Sequence, residues 1–294
     1  MTPNEWLRSG YFFQYKGFNI FYRHTRSEKE CVLLLHGFPT SSWDWSKVWN
    51  HLSEHYWLLA PDFLGFGFSD KPLHYSYSVF DQTDMLEDLI SEVGSVKFHV
   101  LAHDYAVTVA QELVARANEK KENGKSYFTI KSVCFLNGGL FPGVYQPLLI
   151  QKLLAGKFGM MIARLMNFSA FRKNFSRTFG NTQPTEQELA DFWHIINHNN
   201  GKRVIPQTIQ YMKERQRHHE RWTKALQQTA IPLCFINGPE DPISGLSMAN
   251  KFKELLSGAE VVLLEGVGHY PQTEAPEKVV AAFRKFLEAG SCKI

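Results

Sequence analysis

The stretch LAHDYAVTVAQEL (101–113) runs from an apolar strand pattern directly into a helical one. Ala102 and Ala106 stand two residues to either side of Asp104. Small side chains there suit a sharp strand–turn–helix elbow, the device that lifts a nucleophile above an α/β sheet. The common form of that elbow is G-x-S-x-G; here A-H-D-Y-A places an aspartate at its centre and no serine. A serine must lose a proton to attack, whereas a carboxylate is already ionised at neutral pH. It is a modest nucleophile, suited to displacement at saturated carbon, and it leaves an alkyl ester that an activated water must cleave. An Asp in this place also makes an ordinary helix N-cap, so its partners decide the matter.

The natural base is His269, in the Gly-rich loop of LLEGVGHYPQTEAPE after a strand pattern. Asp241, in the loop PEDP after the strand PLCFING, is placed to accept the other imidazole N–H and fix the tautomer; Glu240 is the lesser alternative, and an Asp-Pro turn is the structural one. HGFP (36–39) closes the first buried strand. The backbone amides of Phe38 and Tyr105 are candidates for an oxyanion hole. His36 is expected to shape that loop, and Pro39 is a candidate cis proline. PDFLGFGFSDKP (61–72) lacks the third glycine of a nucleotide loop; Asp62, Gly65, Gly67 and Ser69 read as a tight structural loop.

Outward from the elbow, strand and helix patterns alternate. A hairpin is predicted over 11–24 with Lys16-Gly17 at its turn. Strands follow at 31–37, 57–62, 97–104, 132–139, 232–238 and 259–266. Helices are predicted at 43–52, 78–94 (Ser78 as cap, Gly94 as stop), 107–121 and 277–290. NEKKENGKS (118–126) reads as a charged surface loop. The alternation implies an α/β chain with a mainly parallel central sheet flanked by helices, its site outside the carboxyl ends of the strands. From about Phe141 to Gln228 no strand pattern occurs, only helical pieces such as QPLLIQKLLAG, GMMIARLMNF, TEQELADFWHIINH and YMKERQRHHERWTKAL. Residues 141–228 are therefore expected to form an inserted all-helical cap, with 1–140 and 229–294 as the core; a side domain with only a packing role is the alternative.

The 294 residues include 44% hydrophobic and 21% charged residues and 23 Phe, enough for a core and an apolar pocket, and unlike a disordered, collagenous or coiled-coil chain. The net charge of +3 gives no warrant for nucleic-acid binding. No apolar run approaches the ~18 residues of a membrane span, and the N-terminus has no signal-peptide pattern. Cys31, Cys134, Cys234 and Cys292 have neither metal nor redox spacing; a reducing, cytoplasmic setting is expected. The segment 202–224 is strongly basic: Lys202, Arg203, Lys213, Arg215, Arg217, Arg221 and Lys224, with His218 and His219. Such a run is usually a solvated face; an anionic substrate or anionic membrane surface is the functional alternative.

HGFPTSSWDW, PDFLGFGFSDKP, HDYA, GPEDPI and GHYPQTEAPE together resemble the α/β-hydrolase superfamily, and within it the epoxide hydrolase and haloalkane dehalogenase branch, over the whole chain. The segments 36–42, 62–72, 103–105, 137–142 and 148–154 most resemble the mesoderm-specific transcript protein group, whose members carry an N-terminal hydrophobic segment not seen in this sequence. The resemblance implies an α/β-hydrolase fold and, with Asp104, Asp241 and His269 in nucleophile–acid–base order, a cofactor-free hydrolase without a metal. Dehalogenases of the branch commonly have Asn where Phe38 stands and Trp where Tyr105 stands, which disfavours dehalogenation here. Epoxide hydrolases use two cap tyrosines as acids; the second falls in a motif like NWYRAL, and Thr223 of RWTKAL (221–226) replaces it. Tyr145 and Tyr211 are the candidate cap proton donors, with His218 or His219 behind them and packing within the cap as the structural alternative. The expected substrate is a small apolar or amphipathic electrophile, an epoxide in the first place. Haloalkane or carboxylester hydrolysis, or a catalytically weak binding protein on this scaffold, are the alternatives. A monomer or homodimer is expected, with at most a peripheral contact to membranes.

Overall fold

Strands with continuously apolar sequences belong in the middle of a sheet whose two faces are covered by helices. The computed structural model, which describes residues 1–94, 97–122 and 128–291, has this arrangement. Its strands are β1 (Tyr11–Tyr15), β2 (Phe18–His24), β3 (Cys31–Leu35), β4 (Trp57–Pro61), β5 (Lys97–His103), β6 (Thr129–Leu136), β7 (Leu233–Asn237) and β8 (Glu260–Leu263). They form one sheet in the order β1-β2-β4-β3-β5-β6-β7-β8. The β1–β2 and β2–β4 pairs are antiparallel and the rest are parallel. Every residue of β3, β4 and β7 is buried, whereas β8, at the edge, is half-covered. Lys16 and Gly17 both have positive φ, as the tight turn of a two-residue hairpin requires. Ser78 caps the helix Val79–Glu92 and Gly94 follows it with φ +72°.

At the centre of the sheet β5 passes through Asp104 into the helix Tyr105–Glu122. Neighbouring chains come so close to this elbow that two glycines are obligatory. A Cβ on Gly138 would lie 2.7 Å from Val107 Cγ1 and 2.9 Å from the Asp104 carbonyl oxygen. A Cβ on Gly37 would lie 2.7 Å from His103 Nδ1 and 3.0 Å from Asp104 Cβ.

Three local expectations change. WDWSKVWNHL is broken into a 3-10 turn (Ser42–Trp45) and a helix (Trp49–Ser53); the Ser42 amide donates to Asp62 Oδ1 at 2.7 Å instead of prolonging a helix. Residues 118–122 are no loop but the end of the elbow helix, where Glu119 pairs with Arg221 and Lys120 with Glu87; 123–126 lie outside the described residues. YMKERQRHHERWTKAL splits at His218, whose ring packs on Phe80 and Trp222. Cys31, Cys134 and Cys234 are buried in strands, and Cys292 lies outside the described residues. No helix among the described residues is long and apolar enough to cross a membrane.

Between β6 and β7 the described chain contains only helices and turns. Besides the expected pieces there is a helix at Phe168–Ser176, capped by Asn167. The last helix of the insertion, His219–Gln228, is pinned to the elbow helix by Glu112. This buried carboxylate accepts from Trp222 Nε1 at 2.8 Å, from Arg221 Nε at 2.9 Å and from Arg116 Nε at 2.9 Å. Removing one partner of such a buried network strands the others. Glu112→Ala should therefore lower unfolding free energy in urea by about 3–5 kcal/mol. Removing the exposed Glu119, which shares Arg221, should cost less than about 1 kcal/mol.

Candidate active site

Asp104 sits at φ +46°, a left-handed conformation that few residues other than Gly adopt and that Asp tolerates. The turn aims its carboxylate away from its own helix, so it is not an N-cap. Oδ2 accepts the Phe38 amide at 3.0 Å. Oδ1 faces His269 Nε2 across 3.7 Å. The Asp104 amide donates to the Asn137 carbonyl at 2.9 Å.

Asp241, just past β7, closes the line on the far side of the imidazole. Its Oδ2 meets His269 Nδ1 at 2.8 Å and also accepts Asn137 Nδ2 at 2.9 Å and Ser244 Oγ at 2.6 Å, while Oδ1 accepts the Ile243 amide at 2.7 Å. Glu240 points to solvent. With Asp241 accepting, Nδ1 carries a proton and Nε2 is turned toward Asp104. The main chain of His269 is held on both sides: its amide donates to the Thr178 carbonyl at 2.8 Å, and its own carbonyl accepts His103 Nε2 at 2.7 Å. The buried Glu274 gathers the amides of Gly180, Gly268 and Tyr270. The loop carrying the imidazole is thereby stitched to the inserted segment.

Burial by itself drives a carboxyl toward neutrality and an imidazole away from protonation. At Asp104 burial is opposed by the His269 contact, with His103 and Arg215 adding to it, and the carboxyl ends at about 2. At Asp241 burial is likewise outweighed, chiefly by His269, and its value falls. At His269 burial is outweighed by Asp241 and Asp104, and the imidazole holds its proton well above its usual range. The resting centre is thus an imidazolium between two carboxylates. His103 is pushed down to about 4, chiefly by burial and also by the His269 charge, against the pull of the Asp104 and Asp241 carboxylates.

The other expected residues fall into place around this line. The Tyr105 amide is the first of its helix, so no carbonyl one turn back takes its N–H. His36 is structural: Nδ1 meets the Gly37 carbonyl at 2.8 Å and Nε2 accepts the Phe63 amide at 3.1 Å. The Phe38–Pro39 bond is cis. Asp62 accepts the amides of Ser42 and Phe68, and Ser69 bridges the Asp62 carbonyl and the Phe21 amide, making 62–69 a fixed turn.

Of the two cap tyrosines, Tyr211 reaches the site. It is buried, packs on Tyr105 (4.8 Å) and Phe38 (6.0 Å), and feels the Asp104 charge, which together with burial raises its phenol. Tyr145 stands one side chain further away, against Arg215. Thr223 faces a surface cleft beside Glu220 and Lys251, and His218 and His219 are engaged elsewhere. Arg215, only one charge among many in the basic run, is buried. Its guanidinium lies over the rings of Tyr145 and Tyr211, its Nε donates to Thr108 Oγ1 at 2.9 Å, and its Nη2 has no partner among the described residues. Asn137, His103, Glu274 and Arg215 were not singled out from sequence. For Asn137 and His103, position at a strand's carboxyl end was the available signal.

A cavity of about 100 Å³ adjoins this centre. Phe38, Ile243, His269 and Tyr270 form its floor; Leu154, Met166, Phe171 and Phe175 of the inserted segment close over it. Phe38 and His269, both in its lining, are also polar partners of the Asp104 carboxylate. Among the described residues no group of three or more His, Cys, Asp or Glu could hold a metal ion.

A family model described as alpha/beta hydrolase fold matches residues 30–276. The chain is 42% identical to the mesoderm-specific transcript protein of Mus musculus, over 97% of this chain and 88% of that one. Among solved structures, a haloalkane dehalogenase from Bradyrhizobium elkani is similar with TM-score 0.80 and 22% identity (97% of this chain, 99% of that one). The epoxide hydrolase CorEH is similar with TM-score 0.75 and 19% identity (95% and 98%).

The charge pattern has a pH signature. Carboxylates with depressed values stabilise the fold above their unfolded value of 3.8, and this is lost as pH falls through the folded value; an imidazole with a raised value stabilises below its unfolded 6.5, and this is lost as pH rises through the folded value. The melting-temperature advantage of the wild type over His269→Gln should therefore be greatest between about pH 4 and pH 6.5 and shrink on both sides; a flat difference would contradict it. Asn137→Leu orphans the Gly238 amide and removes a donor from Asp241, so it should cost about 2–4 kcal/mol in urea unfolding.

Proposed function

The chain belongs to the alpha/beta hydrolase fold family, and on that premise we propose that it is a cofactor-independent hydrolase opening an epoxide to a diol through an ester on Asp104, beneath a helical cap over residues 141–228. The observation that carries the proposal is a buried carboxylate at the elbow, one oxygen on a backbone amide and the other turned to an imidazole that a second carboxylate holds.

In the first step Asp104 Oδ1 attacks an epoxide carbon and the C–O bond of the ring breaks. The leaving oxygen takes the phenol proton of Tyr211, and Arg215, stacked on that ring, offsets the tyrosinate charge. The product is a hydroxyalkyl ester. Esterification also removes one of the two charges that hold the proton on His269, so the imidazolium yields it, by way of solvent, to the tyrosinate. The base is thus armed only when there is an ester to hydrolyse. Neutral His269 then takes a proton from water, and the hydroxide adds to Cγ of Asp104. The oxygen that becomes negative is Oδ2, already on the Phe38 amide, with the Tyr105 amide as second donor. Collapse expels the diol and restores the carboxylate and imidazolium.

An apolar cavity with few polar groups suits an apolar or amphipathic substrate. Phe38 and Tyr105 have no side-chain N–H to hold a halide, which favours the epoxide over the haloalkane.

Asp104→Asn should reduce turnover of an aryl or fatty epoxide by about a thousandfold or more. His269→Gln should form the ester but not cleave it, seen as an intact-mass increase equal to one epoxide. Undiminished turnover by the first variant rejects the mechanism; halide release or nitrophenyl ester turnover without epoxide opening replaces it with the other chemistries.

A further inference from the structure

Two short helices of the insertion, Leu149–Leu154 and Gly159–Leu165, carry apolar side chains on the wrong side for a solvated surface. They pack on each other through Leu154, Gly159 and Ala163, which are buried. A Cβ on Gly159 would meet the Leu154 carbonyl oxygen at 2.0 Å, so the backbones nearly touch. On their outer sides Leu149 and Leu153 form one i,i+4 pair, Met161 and Leu165 another, and Phe158 stands at the corner between them. Leu149 and Leu165 are each 72% exposed and Phe158 69%. These five residues are half of the ten large hydrophobic residues exposed among the described ones.

The charge around them is one-sided. Residues 141–185 hold six of the chain's 32 Lys and Arg and none of its 29 Asp and Glu. Lys152, Lys157 and Arg164 stand exposed among the apolar residues and form no ion pair among the described residues. A helix pair with bulky apolar residues outward, ringed by unpaired cations, has the composition of an element that rests in a lipid interface. A protein partner would need matching acidic groups; an anionic bilayer supplies both the acyl phase and the charge.

The first of these helices forms part of the wall of the cavity. Leu148, Ile150, Gln151 and Leu154 line it, and so does Met166, directly after the second helix. The outer apolar patch and the chamber ending at His269 are two faces of one thin layer. We infer that this face docks on anionic membrane surfaces and that the site draws an amphipathic substrate from the bilayer through this layer. The docking stands independently of the chemistry at Asp104; the route of the substrate rests on the proposed hydrolase reading.

Sedimentation of the full chain with phosphatidylcholine vesicles, with and without phosphatidylserine, tests the inference. The wild type should bind the vesicles containing phosphatidylserine and release them as salt rises. The triple variants Leu149→Ser/Phe158→Ser/Leu165→Ser and Lys152→Glu/Lys157→Glu/Arg164→Glu should each partition at least about tenfold less, with unchanged thermal unfolding. Asp104→Asn should bind vesicles as the wild type does, which separates docking from catalysis. Absence of wild-type binding, or equal binding by either triple variant, overturns the inference. So does a dimer, seen by analytical ultracentrifugation, that the apolar substitutions dissolve while lipid binding persists, since the occupant of the face is then a second copy.

Discussion

Everything in the centre is measured from Asn137. It follows the strand β6, between the two strands that lead to Asp104 and Asp241, and it holds both. Its carbonyl takes the Asp104 amide, its side chain pairs with Gly238 in both directions, and the same amide nitrogen reaches Asp241. All of these groups are buried, where an unmatched donor or acceptor is costly. The carboxyl ends of β5, β6 and β7 are therefore fixed relative to one another by polar satisfaction as well as by the ladder. The spacing of carboxylate, imidazole and carboxylate is inherited from that register, and the glycines at 37 and 138 leave the elbow no space to relax.

A second consequence of burial is that charge and position are coupled. An imidazolium in an apolar interior is stable only while its two carboxylates remain charged. Any event that neutralises one of them changes the proton affinity of the ring at once. The proton affinity of His269 thus reports the charge state of Asp104.

The parts of this arrangement that are local were legible from the sequence. A hairpin pattern and six strand-like runs matched the eight strands, A-H-D-Y-A marked the elbow, and Asp241 and His269 were singled out by their places after β7 and β8. The parts that depend on long-range contact left no periodic trace. Glu274 reads as a residue of an ordinary loop, yet it gathers the amides of its neighbours Gly268 and Tyr270 and that of the distant Gly180. Arg215 reads as one cation in a basic run, yet it is the cation that is buried. By resemblance Thr223 stands in an acid's place, whereas in the folded chain its helix presents Trp222 to Glu112 and leaves Thr223 toward a surface cleft. The break at His218 and the 3-10 turn at Ser42–Trp45 were missed for the same reason: ring stacking and a distant aspartate overrode local helical spacing.

The bond from the His269 amide to the Thr178 carbonyl bears on how anything enters. Asn181 adds another to the Gly266 carbonyl at 2.7 Å, so the middle of the insertion is laced to the loop that carries His269. Swinging the insertion away as one rigid flap would unhook the imidazole in the same motion. The stretch 149–166, by contrast, hydrogen-bonds among the described residues only within the insertion. The chamber wall at that leading edge is therefore uncoupled, in hydrogen bonding among the described residues, from the loop that holds the imidazole.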